Sequence, residues 1–345
     1  MNKIKTLKID HLKNKRILVT GGTGSFGNFI VAKLLETPDI KEIVVFSRDE
    51  KKQFDMQNRY LKEKRIKFIV GNIRDKESVR EAMSGINLVF HAAALKQVPS
   101  CEKNPFEAVK TNILGAQNVI RAAIENGVTK VICISTDKAV KPVNVMGMTK
   151  SIQERLAIKA NLLTSNKNTV VCCVRYGNVV SSRGSILPLF REQLRAGLPL
   201  TITDKNMTRF LLTLGDAIDL VLFAAQNTKG GEIFVKKAPS AKIMDLAETI
   251  CNETQKSFNY KIIGSFPGEK IHEILVTEEE LTRTEDLGGY FKIHPWWNNP
   301  KFSHISKEYC SKDKPANQKI LKNLISKADN ELKNLNLYNG IFSKM

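Results

Sequence analysis

Three observations predict an α/β fold, a Rossmann-type doubly wound parallel sheet with a smaller interleaved C-terminal part. Short apolar runs rich in β-branched residues alternate with longer amphipathic stretches. The runs are apolar throughout instead of alternating, as strands buried on both faces are. A glycine-rich turn follows the first run directly and leads into an amphipathic stretch.

In order, the strand-like runs are RILVT (16–20), EIVVFS (42–47), IKFIVG (66–71), INLVFHAAA (86–94), KVICIST (130–136) and TVVCCVRYGNVV (169–180). Between the fourth and fifth, residues 104–127 carry Phe106, Val109, Ile113, Ala116, Ile120 and Ala123 at three- and four-residue steps, which predicts one helix with that face inward. Beyond residue 180 the rhythm loosens. The polar loops SSRGS and TITDKNMTRF lead to a helix over 215–227 and a strand GEIFVKK (231–237). A helix over 241–253, a strand NYKIIGS (259–265) and PGEKIHEILV (267–276) follow. The expected division is an N-terminal extension (1–14), a dinucleotide-binding domain (15–180, with return segments near 206–235), a substrate part (181–205 and 236–295) and an arm or oligomer contact (296–345). That last stretch opens on WWNNP and carries a helix over 315–336.

At 345 residues the chain can bury a large core, and 42% hydrophobic with 26% charged residues is ordinary globular composition. The net charge of +19 fits a polyanionic small substrate. Its lysines are dispersed and not clustered with aromatics, so no nucleic-acid partner is expected. No apolar run approaches the ~20 residues that span a bilayer, and the N-terminus lacks a secretory core, so a cytoplasmic protein is expected. Six cysteines without a C-x-x-C pair, three of them (Cys133, Cys172, Cys173) inside apolar runs, predict reduced buried thiols and no metal site.

Gly21, Gly24 and Gly27 have the G-x-x-G-x-x-G spacing, which lets backbone amides and a helix N-terminus approach a pyrophosphate. The second run ends Ser47-Arg48, a hydroxyl and a guanidinium suited to the 2′-phosphate of NADP; Asp49, one position later, suits the ribose hydroxyls of NAD. NADP is the expected cofactor.

The segments TGGTGSFG, FSRDE, HAAALKQVPSCEKNP, VKTNILGAQNV, STDKAVKPVNVMGMTK, RYGNVVSSRGS, TDKNMTRF and PGEKIHE, in this order over residues 15–295, resemble the extended short-chain dehydrogenase/reductases that act as UDP-N-acetylglucosamine 4,6-dehydratases. The likeness is to the soluble, C5-inverting type of capsule, O-antigen and flagellin sugar biosynthesis. It implies oxidation at C4 of the sugar, loss of the C5 proton and the C6 hydroxyl, and return of hydride to C6, with the cofactor recycled. It further implies roles for named residues. Thr136 would bond the 4-hydroxyl, Asp137 would supply the acid for the C6 hydroxyl, and Lys138, neutral through desolvation, would remove the C5 proton. Lys150 keeps the place of the usual active-site lysine, beside the nicotinamide ribose. Met146 stands where a tyrosine usually moves the 4-hydroxyl proton, and a thioether has no proton to exchange. Asp137 is then the expected first acceptor, with water relayed to Lys150 as the rival.

By the same resemblance, Thr23, Ser25 and Phe26 join the glycines on the phosphates, and Asn72 and Ile73 hold the adenine. Ala92, Ala93 and Ala94 pass beneath the cofactor, and Lys96 contacts cofactor or sugar. Asn178, Arg183, Thr208, Arg209 and Glu269 are the expected substrate ligands. Phe266 precedes Pro267 where the family commonly carries a phosphate-binding arginine close by. A homo-oligomer, perhaps of hexamer type, is implied as well. Two other readings stay open: a UDP-sugar 4-epimerase of the same fold, which would not need the Asp137–Lys138 pair, and a non-catalytic dinucleotide-binding protein.

Overall fold

The computed structural model describes residues 10–163, 168–298 and 307–334. Six strands, β1 (Arg16–Thr20), β2 (Glu42–Ser47), β3 (Ile66–Val70), β4 (Leu88–His91), β5 (Lys130–Ile134) and β6 (Val170–Arg175), match the six apolar runs. They pair in parallel in the order β6-β5-β4-β1-β2-β3. Strand order reverses between β1 and β4, so the strands' C-terminal ends open a crevice there. Beyond β6 the sheet continues with Ile233–Lys236 in parallel, then Tyr290–Ile293 and Thr284–Asp286 antiparallel, nine strands among the described residues.

Both faces are covered, as continuous apolar strands require. Val44, Phe46, Val89, Val131 and Cys173 pack on one side; Ile17, Val19, Ile43, Phe90 and Val174 pack on the other. All six cysteines are buried free thiols, and Cys133 lies beside Cys173 in register.

Three local expectations differ from the structure. The predicted helix over 104–127 is divided into Pro105–Ala108, a π-helical turn Val109–Gly115 and Ala116–Glu125, which leaves Phe106 on the surface instead of in the core. The run 169–180 parts company with the sheet after Arg175, and Asn178–Val179 pairs in a separate three-stranded sheet with Thr208–Leu212 and Ser240–Lys242. Thr208–Leu212 itself was hidden at the end of a polar stretch, although it is buried along its whole length.

Of the stretch from 296 onward, Tyr309–Cys310 pairs antiparallel with Ile274–Val276. The helix Gln318–Asn334 places Leu321, Leu324, Ile325 and Ala328 among Leu246, Ala247 and Ile250 of the helix Ile243–Glu253. The Arg191 guanidinium donates to both carboxylate oxygens of Asp329, at 2.6 and 2.8 Å. Residues 299–306 and 335–345, with part of WWNNP and the end of the expected helix, lie outside the described residues. No helix among the described residues is long and apolar enough to cross a membrane.

Candidate active site

A cleft of about 700 Å³ runs along the C-terminal ends of β1, β2, β4, β5 and β6. At its floor the chain turns from β1 into the helix Ser25–Leu35. Gly21 has φ +67°, and a Cβ there would sit 2.9 Å from the Ala93 backbone; a Cβ on Gly27 would sit 2.4 Å from Gly22. Glycine is therefore required twice for close backbone approach. The helix starts at Gly24 with no side-chain cap, so its first amides and the positive end of its dipole face the cleft. Asn28 braces the turn by donating to the Thr23 and Gly24 carbonyls. Such a cradle fits a dinucleotide pyrophosphate.

At the tip of β2, Ser47 is buried; its hydroxyl accepts from Thr23 Oγ1 and Gln53 Nε2. Asp49 caps the helix Glu50–Arg59 by accepting from the Lys52 amide and ion-pairs with the Lys52 ammonium, whose hydrogen bond is the main reason its carboxyl titrates below the usual range. Arg48, Asp49 and Lys52 all line the cleft, Asp49 and Lys52 as an ion pair. The sequence reading missed Lys52, one turn into that helix. Asn72 and Ile73 line the far end, and Asn72 Oδ1 accepts from the Arg74 amide.

Ala92, Ala93 and Ala94 form the wall opposite the glycines. Lys96 Nζ donates to the Arg183 carbonyl at 3.0 Å, and the Arg183 amide donates to Ser25 Oγ at 3.2 Å. Arg183 therefore lies over the phosphate turn, on the cofactor side of the cleft.

The chemistry-bearing turn follows β5. Thr136, Lys138, Met146 and Lys150 line the cleft together with Asn178 and Glu269. Asp137 stands behind them, 0% exposed. Its Oδ1 accepts from Thr136 Oγ1 at 2.9 Å and from Lys138 Nζ at 3.1 Å, and its Oδ2 has no partner. Lys138 Nζ also donates to Asn178 Oδ1 at 3.2 Å and lies 3.5 Å from Glu273 Oε1. Burial pushes the Asp137 carboxyl above the carboxylate range, Lys138 pulls it back, and Glu273 adds to the rise. For Lys138 the expectation of a desolvated, neutral amine is reversed. Burial pushes its pKa down, but the carboxylates of Asp137 and Glu273 outweigh burial and raise it, so the resting side chain is an ammonium.

The helix Val145–Ala160 carries the rest. Asn144 caps it by accepting from the Gly147 amide, and a Cβ on Gly147 would lie 2.2 Å from the Lys138 carbonyl. That glycine lets the helix abut the turn. Met146 packs against Cys101, Ala108, Leu95 and Val98. Lys150 Nζ donates to the Ile134 carbonyl and to Gln153 Oε1, and burial lowers its pKa to about 8.

Thr208 and Arg209 are not in the cleft wall. Thr208 Oγ1 bonds His272 Nδ1 and Ser311 Oγ, and Arg209 donates to the carbonyls of Thr208 and Ile271. Both are buried because the strand Thr208–Leu212 is the middle one of its sheet. Glu269 Oε2 accepts from the Phe266 amide in a tight turn, with the Phe266 ring exposed.

Two features have no local sequence signal. Glu273, in a motif already noted for Glu269, reaches Lys138. Arg175 joins Glu154 of the active-site helix to Glu280 through paired donors at 2.7–3.0 Å, all three buried. Each depends on a partner more than a hundred residues away, Glu280 lying 105 residues from Arg175.

Comparison with known proteins agrees with this architecture. The family described as polysaccharide biosynthesis protein matches residues 17–295. A relative from Rickettsia canadensis named UDP-glucose 4-epimerase is 50% identical over 283 residues, 81% of this chain and 83% of its own. The X-ray structure of Pen from Bacillus thuringiensis superposes with a TM-score of 0.87 at 39% identity, covering 92% of this chain and 99% of Pen. DesIV, a dTDP-glucose 4,6-dehydratase from Streptomyces venezuelae solved with NAD and TYD bound, shares the fold with a TM-score of 0.66 at 21% identity over 74% of this chain and 86% of its own. With a Rossmann-type fold and a family match over most of its length, the chain belongs to the polysaccharide biosynthesis protein family.

Proposed function

We propose that the protein is a nucleotide-sugar 4,6-dehydratase acting on UDP-N-acetylglucosamine, with inversion at C5 and internally recycled NADP. The observation that carries this reading is Thr136 and Lys138 in the cleft wall with Asp137 behind them, an acid and a base joined by hydrogen bonds at 2.9 and 3.1 Å. An oxidised dinucleotide held by the Gly21–Gly27 turn would supply the hydride acceptor for C4 and the hydride donor for C6. Everything else is proton handling, which falls to the protein.

Thr136 bonds the 4-hydroxyl and relays its proton to Asp137 Oδ1, the buried carboxylate whose raised affinity makes it a proton store. No phenol is needed, and Met146 serves as apolar filling. Lys138, as the amine, takes the C5 proton made acidic by the 4-ketone. The C6 hydroxyl leaves as water with the proton held by Asp137, and the C5 proton is restored in the last step. Because resting Lys138 is an ammonium, it sheds one proton to solvent before the first turnover. Turnover is therefore expected to climb with pH, by about tenfold per unit wherever the amine is the minor form. Arg48 at the tip of the second strand supports NADP, with Lys52 beside it paired to the helix-capping Asp49. Lys96, Asn178 and Glu269 are the ligands proposed for the sugar nucleotide, and Arg183 for the cofactor phosphates. Exposed Phe106, Leu114, Met148 and Ile152, on neighbouring helical segments, support a homo-oligomer.

The second reading is a UDP-sugar 4-epimerase, favoured by the name of the Rickettsia relative. Incubation with UDP-N-acetylglucosamine separates the two. Dehydration yields a product one water lighter by mass spectrometry, with a C6 methyl group and deuterium at C5 in deuterated water. A product of unchanged mass establishes the epimerase instead.

A further inference from the structure

The acid–base pair is held by a third ionised group that does not touch the cleft. Glu273 is 1% exposed and absent from the cleft wall. It stands on the segment leading into Ile274–Val276, and its backbone is clipped on both sides by the tail. The Glu273 amide donates to Ser311 Oγ at 2.9 Å, and the Ser311 amide donates to the Glu273 carbonyl at 2.8 Å. Its Oε1 lies 3.5 Å from Lys138 Nζ and its Oε2 lies 2.8 Å from Lys270 Nζ. Lys270 in turn donates to the Val140 carbonyl, just past the chemistry-bearing turn.

The charges facing Lys138 are Asp137 on its own turn, Glu273 on this segment and Arg209 on the strand Thr208–Leu212. Those facing Glu273 are Lys138, Lys270 and Arg209. The two carboxylates thus differ in kind. Asp137 has one cation beside it, whereas Glu273 has three. Of the two, Asp137 is the one shifted toward holding a proton and Glu273 the one shifted away from it. Burial raises the affinity of Glu273 for a proton, but its three cations outweigh that and lower it. Adjacent His272 is occupied with Thr208 and adds no charge to the pair while neutral.

We propose that Glu273 is a positioning residue: its carboxylate, 3.5 Å from Lys138 Nζ and 2.8 Å from Lys270 Nζ, is the second anchor of Lys138, holding that side chain at the cleft wall when Asp137 becomes protonated. With Asp137 alone, the ammonium that Lys138 becomes on taking the C5 proton would face no carboxylate, because Asp137 still holds the 4-hydroxyl proton. With Glu273 present, that ammonium has one fixed partner, and the partner comes from the segment that also carries Glu269.

This inference rests on Lys138 being the base at C5, and its test is chosen to read Lys138 without turnover. Lys138 in the dinucleotide-loaded protein is labelled with acetic anhydride at pH 9 and quantified by peptide mass spectrometry. Only the amine reacts, and one pH unit in its midpoint is tenfold in rate. Glu273→Gln is expected to label Lys138 at least tenfold faster, to lower kcat at least tenfold at its pH optimum, and to leave KM within threefold. Glu273→Asp is expected to fall between Gln and wild type in both readouts. Labelling within twofold of wild type overturns the anchor, and so does faster labelling with an unchanged kcat. Unfolding midpoint and dinucleotide retention verify the fold of each variant; if Glu273→Gln does not fold, Glu273→Asp decides, with about threefold faster labelling expected and none overturning the inference. A wild-type product identified as the 4-epimer sinks the dehydration reading while leaving the labelling result intact.

Discussion

The phosphate cradle and the catalytic turn lie at the same edge of one sheet but are held by different means. The cradle is built mainly from neighbours in sequence: Gly21 against Gly24, Asn28 against Thr23, and a helix that starts where the turn ends. The catalytic turn is held from a distance. Asn144 donates to the Gly268 carbonyl across 124 residues, Lys270 donates to the Val140 carbonyl across 130, and Arg175 joins the active-site helix to Glu280. A binding site for a constant ligand can be local, because its shape never has to answer to the substrate. The proposed proton-handling turn takes partners from the segment that bears Glu269, a proposed substrate ligand, so on this reading chemistry and substrate capture share one scaffold.

The sharpest test of that division is to damage the catalytic turn and leave the cradle alone. Asp137→Asn and Lys138→Ala should each lower kcat by about 10³-fold, the loss of a general acid or base, with dinucleotide affinity unchanged by titration. Near-wild-type turnover in either variant breaks the proposed mechanism. Next in size, Arg175→Met strands Glu154 and Glu280 as buried unpaired carboxylates. It should cost about 3–5 kcal/mol of unfolding free energy in a urea titration. If instead it costs less than about 1 kcal/mol, as exposed ion pairs do, the long-range tie is not what holds the active-site helix. The smallest effect belongs to the cradle's rim. Arg48→Ala with Lys52→Ala should weaken NADP by roughly tenfold to a hundredfold, about 1.4–2.7 kcal/mol, with NAD nearly unaffected. Equal loss for both dinucleotides would show that the pair does not read the 2′-phosphate.

The same division explains what the sequence disclosed. The six parallel strands, the glycine turn and the strand-end position of Thr136–Lys138 were legible because periodicity and spacing are local quantities. The strand Thr208–Leu212 was not, since its burial comes from two partners, Ser240–Lys242 and Asn178–Val179, that no window around it contains. Thr208 and Arg209 were expected as ligands from the resemblance, and the packing instead engages them with His272, Ser311 and the Ile271 carbonyl. The charge of Lys138 was misjudged for a related reason: burial was foreseeable, the second carboxylate was not. Gly147 was visible as a glycine, but its purpose, the approach of a helix to the Lys138 carbonyl, is a property of two segments at once.

The clip between Ser311 and Glu273 also leads us to expect an order of maturation. During synthesis the N-terminal strands leave the ribosome first, and the dinucleotide cradle has all its local parts long before residue 311 emerges. The nascent chain is therefore expected to acquire its coenzyme early and its reactivity late, so that no sugar is oxidised by a half-finished molecule. Ribosome-stalled chains ending near residue 300 should carry dinucleotide without turnover, and activity should arise only once the tail has closed the seam.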